Sequence, residues 1–102
     1  MAAVRPLRVR FTLPARSQLL SIQEFIADHS PTASRAVGAR IRLALDMLCD
    51  FPDAGHPGRS QGTREWTVRG LPYIIVYEVI SERPDELVVL GVFHGAQERD
   101  QP

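Results

Sequence analysis

The stretch GTREWTVRGLPYIIVYEVI, residues 62–80, has the clearest pattern in the sequence. Residues 63–69 alternate in character, which is typical of a β-strand with Arg64, Trp66 and Val68 on one face and Glu65 and Thr67 on the other. Residues 73–80 are almost continuously apolar, as expected of a central strand that is covered on part of both faces. The three residues between the runs have the length of a hairpin connection.

The flanking segments predict two more strands. Residues 87–93 form another apolar run, and residues 7–13 alternate apolar side chains with Arg and Thr. The intervening loop, residues 52–62, contains three Gly and two Pro. A sheet of four strands therefore has one strand at the start of the chain and three in its second half.

Two helices separate the first strand from the others. Thr12 stands two residues before Pro14 and Ser30 directly before Pro31, and a capping residue followed by a proline in the first turn is a signal for a helix start. The first helix is predicted to run to about residue 29 and the second to about residue 51. Their apolar stripes are Leu19, Ile22, Phe25 and Ile26 in the first helix, and Val37, Ile41, Leu45 and Leu48 in the second.

The order of elements is thus β-α-α-β-β-β, an α+β fold in a single domain over residues 1–102. Two helices this close in sequence fold back on each other, so we expect a helical hairpin packed on one face of a mainly antiparallel four-stranded sheet. The polar tail from about residue 95 is expected to fray.

Composition excludes several classes of protein. Of the 102 residues, 44% are hydrophobic and 24% charged, which is ordinary for a folded domain. No apolar run approaches the roughly 20 residues of a membrane span, and no secretory signal is visible. Cys49 is the only cysteine, so we expect no disulfide within the chain and a cytoplasmic protein. The three His are scattered, so we also expect no metal and no cofactor.

Charge is unevenly distributed along this neutral chain. Residues 1–42 contain seven Arg against Glu24 and Asp28, a balance of +5, whereas residues 43–102 contain five Arg against ten acids, a balance of −5. All twelve basic residues are Arg, for which the functional explanation is bidentate recognition of carboxylates or phosphates and the alternative explanation is a GC-rich genome. Zero net charge argues against non-specific nucleic-acid binding, with a local basic face as the open alternative, and we expect no direct sequence-specific binding of nucleic acid.

Five segments of the sequence, taken with the order of elements given above, resemble the RelE/ParE superfamily of bacterial toxins from type II toxin–antitoxin modules. The block at residues 62–79 and the segment LVVLGVFHGAQER, residues 87–99, carry most of the resemblance. The others are FTLPA at residues 11–15, SPTASRAV at 30–37 and FPDAGHPGR at 51–59. The resemblance covers nearly the whole chain and implies the fold predicted above.

The superfamily implies one of two activities. RelE-like members are ribonucleases that cleave mRNA on the ribosome and carry basic residues on the middle strands, whereas ParE-like members lack that set and poison DNA gyrase. This chain departs from the ribonuclease pattern at Glu65, Thr67, Ile74, Gly95 and Gln97. The departures favour the ParE-like branch, with a RelE-like ribonuclease or a non-toxic antitoxin-binding homologue as alternatives.

A ribonuclease would need an acid, a base and cations around the scissile phosphate. The candidates are His94, Glu65, Arg64 and Arg69. Strand alternation puts Arg64 and Glu65 on opposite faces, and a His at a strand end is commonly structural. We therefore expect no catalytic residue, with these four as the set to test if the protein is a ribonuclease.

Two other residues have a structural and a functional interpretation. Trp66 is expected in the core against the helical hairpin, the alternative being an exposed aromatic at a partner site. Cys49 is expected to be a partly buried, inert thiol.

The resemblance implies a cognate ParD-like antitoxin whose acidic, amphipathic C-terminal segment wraps the toxin, with DNA gyrase as the target. The apolar side of that segment is expected against the helical hairpin. The basic N-terminal portion supplies the candidate antitoxin-binding residues Arg8, Arg10, Arg16, Arg40 and Arg42.

Overall fold

The structure, a computed structural model, describes residues 7–82 and 85–95. Most of the predicted polar tail lies outside these residues. The elements follow the order β1 (Arg8–Phe11), α1 (Leu13–Ala27), α2 (Pro31–Asp50), β2 (His56–Pro57), β3 (Arg64–Thr67), β4 (Tyr73–Ile80) and β5 (Glu86–His94). A single 3₁₀ turn, Pro52–Ala54, joins α2 to β2.

The sheet has five strands in the order β1-β5-β4-β3-β2. β1 runs parallel to β5, and the other three pairings are antiparallel. The α+β prediction is confirmed, but the sheet has one strand more than predicted. The extra strand, β2, is two residues long and lies within the Gly/Pro-rich segment that was expected to be loop throughout.

Both helices begin where the cap-and-proline signals predict. The Thr12 hydroxyl accepts a hydrogen bond from the Ala15 N–H (3.2 Å), and the Ser30 hydroxyl accepts one from the Ala33 N–H (3.1 Å). Each bond satisfies a donor that the first helical turn leaves without an intrahelical partner. α1 ends at Ala27, two residues before the predicted end, and α2 runs to Asp50.

The core lies between the helical hairpin and one face of the sheet. Buried side chains of α2 pack against those of β4 and β5, namely Ile41, Leu45 and Leu48 against Ile75, Tyr77, Leu87, Val89 and Val92. Phe25 was expected in the buried stripe of α1, but 69% of it is exposed. Its ring lies 5.6 Å from that of His29, one turn later on the helix surface.

Two side chains of the first helical segment cover the part of β5 that extends beyond β1. The Gln18 Oε1 accepts from the Val92 N–H (3.0 Å), and the Thr12 hydroxyl donates to the Leu90 carbonyl (3.5 Å). These bonds satisfy backbone groups that a strand edge would otherwise leave open. α1 therefore takes the place of a neighbouring strand along this part of β5.

No helix in the described part of the chain is long and apolar enough to span a bilayer.

Candidate functional site

A buried tyrosine of β4 holds the segment that follows α2. The Tyr77 side chain is fully buried, and its hydroxyl donates to the Pro52 carbonyl (2.6 Å) and accepts from the Gly55 N–H (3.0 Å). Burial raises the pKa of this phenol above its usual value, so the group stays protonated and keeps its donor. The space is tight, because a Cβ on Gly55 would lie 2.6 Å from the Tyr77 hydroxyl.

Arg64 binds the same segment from β3. Its Nη1 donates to the Gly55 carbonyl (2.6 Å), and its Nη2 lies 3.6 Å from the Asp53 carboxylate. Arg64 and Tyr77 face each other in the β3–β4 register, so one end of the sheet anchors the 3₁₀ turn through two side chains. The structure therefore places Arg64 in a structural contact with an acid of the fold.

Glu65 points to the other face of the sheet, as alternation predicted. Only 6% of this residue is exposed, and it lines a cavity of about 280 Å³ with Val76, Leu90 and Phe93. Arg59, Ser60 and Thr63 of the loop before β3 line the same cavity. Strand periodicity alone did not predict this burial, because it depends on the loop that lies against the strand.

His94 is exposed at the end of β5, far from Arg64. Its ring meets Tyr73 edge-on at 5.6 Å, and His94 faces Tyr73 in the β4–β5 register. Arg64 faces Tyr77, four residues further along β4, which corresponds to about 13 Å along the strand. The structure therefore does not bring His94 and Arg64 together around a single phosphate.

Arg69 lies at the His94 end of the sheet, in the turn between β3 and β4. It is exposed, and its backbone carbonyl accepts a hydrogen bond from the Arg40 guanidinium of α2. The four ribonuclease candidates are thus divided between the two ends and the two faces of the sheet.

The sheet face that bears Glu65 also carries Thr67 and Ile74, at positions where the RelE-like pattern implied by the resemblance has basic residues. Thr67 pairs with Ile74, and Ile74 pairs with Phe93, so the three side chains form one row across β3, β4 and β5. This row contains a hydroxyl, an aliphatic group and a ring but no charge. Gln97 lies outside the described residues.

The five antitoxin-binding candidates are exposed but do not form one patch. Arg8 and Arg10 lie on β1, where the Arg10 Nε is 3.0 Å from the Glu86 carboxylate. Arg42 lines a cavity of about 360 Å³ between β1 and α2. Arg40 lies on the opposite side of α2, and Arg16 is on α1.

Trp66 combines the two interpretations that its sequence position allowed. It is partly buried and packs against the core, and it also lines a groove of about 540 Å³ between α2 and the β3–β4 hairpin. The apolar lining includes Leu43, 65% of which is exposed, and Met47. Arg40 and Arg69 are the charged residues of the lining.

Sequence analysis missed the α2 side of this groove. Arg40, Leu43 and Met47 follow one another at three- and four-residue spacing, so they form a second stripe beside the buried one. The spacing in the sequence could have predicted this second stripe. The structure shows that the stripe lies next to the sheet, because the partly buried Trp66 of β3 lines the same groove.

Cys49 is buried near the end of α2, with 7% of it exposed. Burial, and then the nearby carboxylates of Asp46 and Asp50, raise the pKa of its thiol. Within residues 7–82 and 85–95 no group of three or more His, Cys, Asp and Glu side chains is arranged to hold a metal ion.

Comparison with known proteins gives relatives over nearly the whole length. The chain is 37% identical to Y4kP, a Sinorhizobium fredii protein named as a toxin, over 92% of this chain and 94% of that one. It is 30% identical to toxin RelE2 of Caulobacter vibrioides over 88% of this chain and 97% of the relative.

Two solved structures of toxin–antitoxin systems share the fold. The chromosomal ParDE system of P. aeruginosa matches with a TM-score of 0.73 at 19% identity, over 86% of this chain and 95% of that chain. The RelBE2 complex of Mycobacterium tuberculosis matches with a TM-score of 0.60 at 27% identity, over 95% and 100%.

A family model described as the ParE toxin of the type II toxin–antitoxin system parDE matches residues 9–99. That match extends from β1 through β5, and the two relatives align over 92% and 88% of the chain. This chain therefore belongs to the ParE toxin family, within the RelE/ParE superfamily of type II toxin–antitoxin toxins.

Proposed function

We propose that this chain is a ParE-like toxin that inhibits DNA gyrase through protein–protein contact and is neutralised in the cytoplasm by a cognate antitoxin. In this proposal the toxin supplies no catalytic group of its own. It arrests growth by holding the topoisomerase in a complex with cleaved DNA.

The row Thr67, Ile74 and Phe93 is the observation that carries the proposal. Phosphodiester cleavage requires cations that stabilise charge developing on the phosphate, together with a positioned acid and base. The neutral row occupies two of the positions where the RelE-like pattern has Lys or Arg, and Glu65 occupies a third. Contact with a protein target requires none of these groups.

An antitoxin partner is supported by the relatives and by surface chemistry. The two solved structures named above are toxin–antitoxin systems. On this chain, the groove at Trp66 offers an apolar floor with Arg40 and Arg69 at its sides, and the cavity beside β1 is bordered by Arg42. The cavity beside β1 is also lined by Asp46, so an acidic, amphipathic segment complements the groove at Trp66 better than the cavity.

Purified protein distinguishes the two activities of the superfamily. We expect the toxin to inhibit supercoiling of a relaxed plasmid by gyrase and to leave ribosome-bound mRNA intact. Cleavage of mRNA with gyrase unaffected would contradict the proposal.

A RelE-like ribonuclease is the second candidate, and similarity to the toxin RelE2 favours it. In that case His94 and Arg69, which lie at the same end of the sheet, would be the first residues to substitute. A protein that is inactive in both assays and does not arrest growth would instead be a homologue that only binds the antitoxin.

A further inference from the structure

The cavity at Glu65 lies on the sheet face opposite the helical hairpin. One row of residues crosses this face from Glu65 of β3 through Val76 of β4 to Gly91 of β5. Gly91 has no side chain, and the Phe93 ring occupies the space above it, because a Cβ on Gly91 would lie 2.5 Å from the ring. The lining therefore has a carboxylate at one end and an aromatic ring at the other, with Val76 between them.

The loop before β3 forms the polar wall of this cavity and is held by its own hydrogen bonds. The Gly58 N–H donates to the Thr63 carbonyl (2.8 Å), and the N–H and the hydroxyl of Thr63 both donate to the Ser60 carbonyl (3.1 and 2.6 Å). Arg59, Ser60 and Thr63 line the cavity from this loop. The backbone of the polar wall is thus fixed before a ligand binds, which lowers the entropic cost of binding.

The charges of the lining are balanced. Glu65 is more than nine-tenths buried, and Arg59 lines the same cavity from the exposed loop. A cation would be repelled by Arg59 and an anion by Glu65, so the lining favours a ligand whose recognised part is neutral. A carboxylate has several acceptor sites and a guanidinium several donors, so each can bind a ligand in addition to its contacts in the fold.

Guanine has the hydrogen-bonding groups that this lining recognises. Its Watson–Crick edge carries two adjacent donors, the N1–H and the N2 amino group, which match the two oxygens of a carboxylate. Its O6 and N7 accept from an arginine, the commonest specific contact with a base. Adenine and cytosine place an acceptor beside their amino donor, and uracil has a single N–H between two carbonyls, so guanine is the base that offers the donor pair.

The size of the cavity and the chemistry around it favour a single nucleotide over a strand. Its volume of about 280 Å³ is just below that of typical ligand pockets, about 300–1,000 Å³, so a base fits better than a larger molecule. A base can stack on the Phe93 ring with Val76 and Leu90 beside it. The neighbouring row of Thr67, Ile74 and Phe93 is neutral, so these side chains offer no cation to the further phosphates of a strand.

We propose that this cavity binds the base of a free guanine nucleotide. Glu65 accepts from the Watson–Crick edge, Arg59 donates to O6 and N7, and the Phe93 ring stacks on the base. The site lies on the opposite side of the sheet from the groove at Trp66. The proposal adds a small-molecule ligand to the toxin and does not depend on whether gyrase is its target.

Equilibrium dialysis of the purified toxin against GMP, IMP and AMP tests the recognition of the base. We expect GMP to bind at least about tenfold more tightly than IMP, which lacks the N2 amino donor, and than AMP, because each loses a hydrogen bond to a charged group. In ¹⁵N spectra, GMP should shift the amides of Glu65, Val76 and Phe93. Failure of GMP to bind, equal affinity for the three nucleotides, or shifts confined to another surface would overturn the proposal.

Two substitutions assign the edges of the base. Glu65→Gln replaces an acceptor oxygen by a donor, so the preference for GMP over IMP should fall from about tenfold to about twofold or less. Arg59→Gln, on the exposed loop, should weaken GMP and IMP equally, by about tenfold, since both contain O6 and N7. Arg35→Gln, exposed on α2, is the matched control and should bind GMP as the parent does.

Thermal melts check that each variant folds. If the buried Glu65→Gln does not fold, the exposed Arg59→Gln still tests the site. Unchanged binding of GMP by a folded Arg59→Gln variant would overturn the proposal, and so would an unchanged preference for GMP over IMP in folded Glu65→Gln.

A short single-stranded RNA with one guanine among uridines distinguishes a free nucleotide from a base within a strand. We expect GMP to bind at least as tightly as this oligonucleotide, because the neutral row contributes no contact to further phosphates. Tighter binding of the oligonucleotide would overturn the assignment to a free nucleotide and would favour the RelE-like alternative.

Discussion

Tyr77 shows how much of the fold depends on a single hydroxyl. It is the hydrogen-bond partner of both Pro52 and Gly55, so it fixes the path of the chain from the end of α2 into β2. A buried backbone donor that loses its partner keeps the full cost of its desolvation. The Tyr77 hydroxyl therefore contributes to stability in addition to the packing of its ring in the apolar core.

We predict that Tyr77→Phe lowers the free energy of unfolding by about 1–3 kcal/mol, because it leaves the Gly55 N–H and the Pro52 carbonyl without their partner. Urea denaturation followed by tryptophan fluorescence measures the change. Tyr73→Phe, which keeps the ring contact with His94, is the matched control and should change stability by less than about 0.5 kcal/mol. Equal effects of the two substitutions would contradict this role for Tyr77.

His94 provides the residue-scale test of mechanism. On the proposed function it transfers no proton, so His94→Gln should still arrest growth at matched expression, provided that the domain stays folded. A catalytic His would instead lose about 100- to 10,000-fold in rate. A folded, well-expressed variant that no longer arrests growth would move the assignment to a ribonuclease.

Cys49 should react slowly with alkylating reagents. Its raised pKa leaves less thiolate at a given pH than in a free thiol, and burial limits access further. We expect the native protein at pH 8 to react with iodoacetamide at least about tenfold more slowly than the urea-unfolded chain. The alkylation rate of the native protein should also begin to rise at a higher pH than that of the unfolded chain. Equal rates in the two states would show that the Cys49 thiol is accessible.

The helix starts depend on interactions within four residues, and the second one can be tested in isolation. Ser30→Ala removes the hydroxyl that accepts from the Ala33 N–H, and we expect a loss of about 1 kcal/mol in the free energy of unfolding. Ser17→Ala, in the exposed interior of α1, should stay within about 0.5 kcal/mol of the parent. If both variants melt alike, the cap contributes nothing measurable.

Elements that depend on interactions between residues close in sequence could be predicted, and elements that depend on distant residues could not. A cap and a proline act locally, so Ser30 and Thr12 identified both helix starts. The pairing of His56 with Glu65 is not local, and Gly and Pro around it indicate loop, so β2 was missed. The apolar spacing of α1 included Phe25, but spacing does not show where the buried stripe ends, and the ring lies on the surface.

The candidate site was predicted less completely than the fold. The exposed Arg residues could be named from the sequence, but their division among β1, α1 and the two sides of α2 depends on how the hairpin packs. The burial of Glu65 depends on the loop around Arg59 and Thr63. Both are tertiary properties that no periodicity within one element encodes.

At the scale of the whole molecule, charge asymmetry acts over distances that single contacts do not reach. The chain is neutral, but the first 42 residues carry a balance of +5 and the remainder −5. If the proposed acidic antitoxin is the partner, we predict that this excess of Arg attracts it before contact and that salt at 0.1 M screens the attraction beyond about 10 Å. It should therefore affect the association rate more than the lifetime of the complex.

A substitution of Arg16 tests long-range attraction apart from direct contact, because Arg16 lies on α1 and lines neither the groove at Trp66 nor the cavity beside β1. We predict that Arg16→Glu slows antitoxin association about two- to fivefold at 50 mM salt, with little change in dissociation, and that the difference disappears at 500 mM. Stopped-flow mixing at the two salt concentrations measures both rates. Arg59→Glu makes the same change in net charge within the acidic portion of the chain and is the control, with a thermal melt to check that it folds, since Arg59 lines the cavity at Glu65. Equal slowing by both variants would mean that net charge, rather than the basic N-terminal portion, steers the partner, whereas a salt-independent effect of Arg16→Glu would place Arg16 in the interface itself.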